Sequence, residues 1–134
     1  MILRAVVLLL ALALPAAAQT LPEPLSDTVS DYAGALDATE EGRISRALQQ
    51  VRDETGVHMV VVTMDRLADY AAPGQRLESY AKALFNAWGV GDAKRNDGIL
   101  MLVLVGDREV RIALGSGYDP VYDGRAARVL STAV

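Results

Sequence analysis

The sequence predicts an α/β domain built on a small mixed sheet, and three observations predict it. Segments with helical apolar period alternate with short apolar runs rich in β-branched residues. Two of those runs, Val57–Thr63 and Ile99–Val105, are almost wholly apolar, as strands of a parallel sheet buried on both faces are. A third run follows the second after only Gly106-Asp107-Arg108, and a return that short must be antiparallel.

The elements follow in order. The first helix is expected over Thr39–Glu54. Asp37 and Thr39 both suit its N-cap, and Glu40 and Glu41 put negative charge at its electropositive end. Ile44, Leu48 and Val51 form its apolar stripe, and Thr55-Gly56 stops it. Val57–Thr63 is the first strand and Met64–Gly74 a loop. The second helix spans Gln75–Trp88, with Leu77, Tyr80, Ala81, Leu84, Phe85 and Trp88 on one face and Gly89 at its end. Ile99–Val105 is the second strand. In the third, Glu109–Leu114, Val110, Ile112 and Leu114 face one way and Arg111 the other. Asp119 caps a third helix with Pro120 at its first position, and Ala126, Val129, Leu130 and Ala133 make its stripe. The order is α-β-α-β-β-α. The β-α-β crossover is expected to be parallel and right-handed, within two or three layers.

Before the domain comes an export signal. Met1-Ile2-Leu3-Arg4 carries one positive charge, Ala5 to Leu14 is an apolar run, Pro15 breaks it, and Ala16-Ala17-Ala18 supplies a small-residue cleavage site. The run is too short for a membrane anchor, which needs about 20 apolar residues. Residues 1–18 are therefore expected to be a signal peptide, 19–26 a proline-containing linker, and 27–134 the domain. Helix three reaches Val134 with no stop signal before it, so the domain is expected to be truncated at its C-terminus. Cleavage removes Arg4 and no acid, leaving 12 basic against 17 acidic residues, a net charge of −5. So acidic a domain repels phosphate backbones, which argues against nucleic-acid binding. With no cysteine there is no thiol catalysis, thiolate metal site or disulfide, and the apolar core alone must hold the domain.

Topology points to the polar residues that meet. If the first two strands are parallel and the third returns antiparallel, the loops 89–98 and 115–119 converge on one edge of the sheet, where helix three also begins. That rim gathers Asp92, Asn96, Asp97, Ser116 and Asp119, with Lys94 and Arg95 beside them. Its oxygens suit calcium, a hard ion that takes six to eight of them. A helix N-terminus with Arg95 would instead suit a phosphate or carboxylate. Asp, Asn and Gly are also ordinary turn residues. Asp92, Asn96 and Asp97 are the candidate cation ligands, completed by Asp119 or by Asp31; the latter requires the 27–37 segment to run back across the sheet. Calcium is favoured over zinc because every donor is oxygen. The loop is not an EF-hand, since its glycine and its acids fall at the wrong positions. The lone histidine, His58, sits in an apolar strand and reads as structural, and no nucleophile elbow or Walker sequence is present.

Five segments in order carry a family resemblance: Val29-Ser30-Asp31-Tyr32-Ala33-Gly34-Ala35-Leu36; Thr55-Gly56-Val57-His58-Met59-Val60-Val61-Val62-Thr63; Trp88-Gly89-Val90-Gly91; Arg95-Asn96-Asp97-Gly98-Ile99-Leu100; and Arg108-Glu109-Val110-Arg111-Ile112 running into Gly115-Ser116-Gly117. Their order and spacing resemble the TPM domain family, which includes the thylakoid protein of photosystem II repair and many bacterial exported proteins. The resemblance covers Asp27 to Val134. It implies an α/β/α sandwich outside the cytoplasm or facing a lumen. Some members are described as acid phosphatases, some bind calcium, and others serve as accessory subunits of membrane complexes. The family's acidic and Asn-Asp-Gly positions match Asp31, Asn96 and Asp97. Many bacterial members continue into a membrane helix; no such anchor is seen in this sequence. The reading that results is an extracytoplasmic binding or accessory module, periplasmic or secreted, with a calcium site and a partner in a membrane-protein complex. The alternatives are a metal-assisted acid phosphatase and a purely structural interaction domain.

Overall fold

The computed structural model describes residues 18–132. The export segment, apart from Ala18, lies outside the described residues, as does Ala133 of the third helical stripe. The order is β1 (Val29–Asp31), α1 (Ala38–Thr55), β2 (Met59–Met64), a 3₁₀ turn (Leu67–Asp69), α2 (Leu77–Trp88), β3 (Ile99–Leu104), β4 (Glu109–Leu114) and α3 (Val121–Thr132). The four strands form one sheet in the order β1-β2-β3-β4. β1, β2 and β3 are parallel, and β4 returns antiparallel beside β3. The α/β prediction with a mixed sheet holds.

Local chemistry sets the helix ends. At α1 the Asp37 carboxylate accepts from Glu40 N at 2.8 Å while the Glu40 side chain accepts from Asp37 N at 3.0 Å, a reciprocal capping box. Of the two candidate caps, Asp37 is the one used. Gly56 closes the helix in the left-handed region at φ 74°. At α3 the Asp119 carboxylate accepts from Val121 N at 3.0 Å, the capping role expected of it.

The core lies between the sheet and α2. Val60, Val62 and Met64 of β2 alternate onto the same face as Leu100, Leu102 and Leu104 of β3, and Tyr80, Ala81 and Leu84 of α2 close over them. Phe85, Trp88 and Leu77 pack at the margin of this cluster, so the apolar face expected of the second helix is the one that docks. Leu102 stands opposite Arg111, which places Arg111 on the α2 side, where it pairs with Glu78 at 3.5 Å. α1 packs against β1 and β2 and buries Leu48, making the second helical layer. A 2.6 Å hydrogen bond between Thr28 and Ser45 ties it to the start of β1.

Two differences from the sequence reading bear on function. First, Val29–Asp31 is a strand and adds an edge to the sheet, with Val29 opposite Val61 and Asp31 opposite Thr63. Three residues are too few to show an alternating period; pairing with β2 makes them a strand. Second, residues 19–25, expected to be a linker, are docked as a strap along α2. Thr20 N donates to Tyr70 O at 2.6 Å, the Tyr80 hydroxyl donates to Thr20 O at 2.7 Å, and Trp88 Nε1 donates to Pro22 O at 2.7 Å. Leu21 packs against the core cluster. The buried Tyr80 and half-buried Trp88 each need a partner for their one polar group, and the strap's carbonyls supply it.

Candidate functional site

The parallel–antiparallel arrangement brings the loop before β3 and the loop after β4 to one edge of the sheet, as the topology argument requires. Gly115 N donates to Gly98 O at 2.9 Å, Gly117 N to Asn96 O at 2.8 Å, and the Tyr118 hydroxyl to Asp97 O at 2.7 Å. The two loops touch backbone to backbone. A Cβ on Gly115 would run into the Asn96 carbonyl, and one on Gly117 into the Arg95 carbonyl, so no side chain fits at either position. His58, just before β2, pins the first loop from below. Its Nδ1 accepts from Gly91 N at 3.2 Å, which leaves Nε2 to carry the proton and donate to Asp27 O at 2.9 Å. Both ring nitrogens are engaged with backbone, as a structural histidine requires.

Within the first loop Arg95 is the central charge. Its Nε lies 2.8 Å from Asp97 Oδ2, its guanidinium 3.9 Å from Asp92, and its Nη2 donates to Gly56 O at 3.0 Å. Asp92 Oδ1 accepts from the backbone N of both Lys94 and Arg95 at 2.9 Å. Those backbone bonds, from Arg95 and then Lys94, hold the Asp92 carboxyl below its ordinary range. The Arg95 side-chain bond does the same for Asp97. Burial, and then the negative charge of Asp97, push the Tyr118 hydroxyl up. Asn96 takes a left-handed backbone at φ 50°, a conformation asparagine tolerates well.

Behind this rim a groove of about 530 Å³ opens between α2, β4 and the start of α3. Asn96 and Asp119 both line it, together with Lys82, Arg111, Ser116 and Asp123. The structure thus brings Asp92, Asn96 and Asp97 onto one loop, with Asp119 lining the same groove as Asn96. It does not bring Asp31 there. Asp31 ends β1 at the opposite edge of the sheet, where it accepts from the Thr63 hydroxyl and from the backbone N of Ala35 and Leu36 at 3.0 Å. Burial pushes its carboxyl up, but these bonds outweigh it and leave the group lowered. The 27–37 segment does not run back across the sheet, because β1 spends those residues pairing in parallel with β2.

Among the described residues no three acids or histidines come together to hold a metal ion. By donor chemistry the Asp92–Asp97 loop suits a hard cation; by charge it already has one, the Arg95 guanidinium. The same ion pairs engage part of the half-exposed Arg95 guanidinium, and the carboxylate of Asp119 occupies the N-terminus of α3. Lys82, Arg111 and Asp123 escaped the sequence reading. Their only signal was indirect: Arg111 is the charged residue of an alternating strand, and Glu78 and Lys82 lie one helical turn apart.

Comparison with known proteins bears on the whole arrangement. A family model described as the TPM domain matches residues 29–134. The solution NMR structure of the N-terminal domain of a protein from P. gingivalis is 32% identical, with a TM-score of 0.65 over 78% of this chain and 64% of that one. This chain therefore spans less than two thirds of that domain. The solution NMR structure of the N-terminal domain of a Corynebacterium glutamicum protein is 20% identical, with a TM-score of 0.62 over 84% of this chain and 69% of that one, and shares the fold. No curated protein matches.

Proposed function

The chain belongs to the TPM domain family, and we propose that it acts as an extracytoplasmic binding or accessory module that presents the rim and its groove to a ligand. One observation carries this reading: the rim is built for contact and poorly equipped for turnover. The groove is open and polar, while the one histidine has both nitrogens bound to backbone. The charge pattern of residues 1–18 supports a periplasmic or secreted location. A membrane-protein complex is the kind of partner the proposal implies.

Calcium is the cation proposed for the Asp92, Asn96 and Asp97 oxygens, and it would compete with Arg95 for them. The test is a calcium titration of the domain by NMR alongside thermal melts. Backbone signals over 89–98 should shift, and about 100-fold excess over Kd should stabilise the fold by roughly 2.7 kcal/mol. Asp97→Ala should lose that rise. Arg95→Gln, which removes the competing cation, should bind calcium more tightly. No response at millimolar calcium, or an equal response in Asp97→Ala, would sink the cation site. Hydrolysis of a phosphate monoester that needs Asp97 would put the acid phosphatase in place of the binding module. Tolerance of both losses, with no ligand, would leave a structural domain.

A further inference from the structure

The strap over α2 has the chemistry of a bound peptide. Pro22 and Pro24 fix their own backbone angle and push Leu21 and Glu23 towards extended conformations, so the segment is stretched before it docks. It lies along a row of aromatic rings. The Tyr32 and Tyr70 centroids are 6.5 Å apart, as are those of Tyr70 and Tyr80. Trp88 follows Tyr80 about two helical turns further along α2. Three of these rings donate from their polar tip to a strap carbonyl: Tyr80 to Thr20 O, Trp88 Nε1 to Pro22 O, and Tyr32 to Glu23 O. In return Thr20 N donates to Tyr70 O. Leu21 is the strap side chain that packs against the core cluster. Recognition is therefore by shape and by main-chain carbonyls, and the prolines, having no N–H, leave no donor stranded. Aromatic-lined grooves read proline-rich segments in this way.

The strap is also a part of the fold that can leave at low cost. It forms no rung of the sheet, and Thr20, Glu23, Pro24 and Leu25 are exposed. Without it the four strands stay paired, and Ala81 and Leu84 of α2 still meet β2 and β3. Its departure uncovers the aromatic row with three donors in need of acceptors. We propose that this row is a binding site for an extended, proline-containing segment of a partner protein, and that the chain's own strap fills it as an intramolecular inhibitor. The site goes beyond the rim reading, since it uses β1, α2 and the 3₁₀ turn rather than the 89–98 loop. A tethered strap competes at an effective concentration on the order of millimolar, so a partner's segment enters only as the strap yields.

The probe is an acetylated, amidated peptide with the sequence of residues 19–26, titrated into the isotope-labelled chain. The Trp88 indole N–H signal should move with it. Leu21→Ser loosens the strap without touching the row, and should tighten the peptide at least tenfold. Thr20→Pro, which deletes the amide bonded to Tyr70 O, should act in the same direction. Adding Trp88→Phe to Leu21→Ser keeps a ring but removes a donor, and should reverse most of that gain. A peptide with both prolines replaced by glycine should bind at least about fourfold more weakly, because its free chain has more freedom to lose. Calcium-induced shifts over 89–98 should be the same in Leu21→Ser as in wild type, so this site and the rim fail separately. Three results would each overturn the proposal: affinity no higher in both strap variants than in wild type, equal binding of the glycine peptide, or a sedimenting dimer in which two copies exchange straps.

Discussion

Removing one hydroxyl group tests the docked strap. In Tyr80→Phe the ring stays in the core, where Tyr80 is fully buried, and only the 2.7 Å bond to Thr20 O is lost. A hydrogen bond of this kind contributes about 0.5–1.5 kcal/mol net, and an acceptor left dry costs about 1–3 kcal/mol. Thr20 is exposed, so water can take the vacated place, and the loss should be near the lower range, about 1 kcal/mol. For a domain of this size that is a fall in Tm of roughly 4–6 °C. The strap should also loosen locally. Thr20 N, now bound to Tyr70 O at 2.6 Å, should exchange faster than the helix amides of α2. The assay is a urea melt followed through Trp88, the single tryptophan, whose indole bonds Pro22 O and reports the strap directly. Stability within about 0.3 kcal/mol of wild type, with Thr20 exchange unchanged, would show that the strap does not hold these residues together.

Two further perturbations address the two edges of the sheet. Arg95→Gln removes the bond that lowers the Asp97 carboxyl, so Asp97 should titrate closer to its ordinary value of about 3.9. A lowered carboxyl contributes stability above its unfolded pKa and loses it as pH falls through the folded one; the variant should show less of that acid loss. Carboxyl carbon NMR measures both, and an unchanged Asp97 curve would count against the ion pair. Asp31→Ala strips the Thr63 hydroxyl and the Ala35 and Leu36 amides of their acceptor and should cost roughly 1–2 kcal/mol in denaturant melts. Because Asp31 lies at the opposite edge, any calcium-induced shifts over 89–98 should be the same in Asp31→Ala as in wild type.

Much of this protein is local and therefore readable along the chain. The Asp37–Glu40 capping box, the Gly56 stop, the apolar face of α2 and the alternation in β4 each depend on residues a few positions apart. The meeting of the 89–98 and 115–119 loops was also legible, because a tight antiparallel return after a parallel crossover permits only one edge for both. What lay beyond the sequence depends on partners far away along the chain. Val29–Asp31 carries no strand signal of its own and becomes one against Val61–Thr63. Residues 19–25 have the composition of a tether, yet Tyr80 and Trp88 capture the carbonyls of Thr20 and Pro22, 60 and 66 residues away along the chain. Arg95 reads as a loop cation until the fold closes it on Asp97 and on the end of α1. Residue types and spacing determine which elements form and which groups are charged. Which of those charges satisfy one another, and which stay open to a ligand, is decided only when packing sets the distances, since ion pairs and hydrogen bonds act over a few ångströms and sequence separation does not measure that.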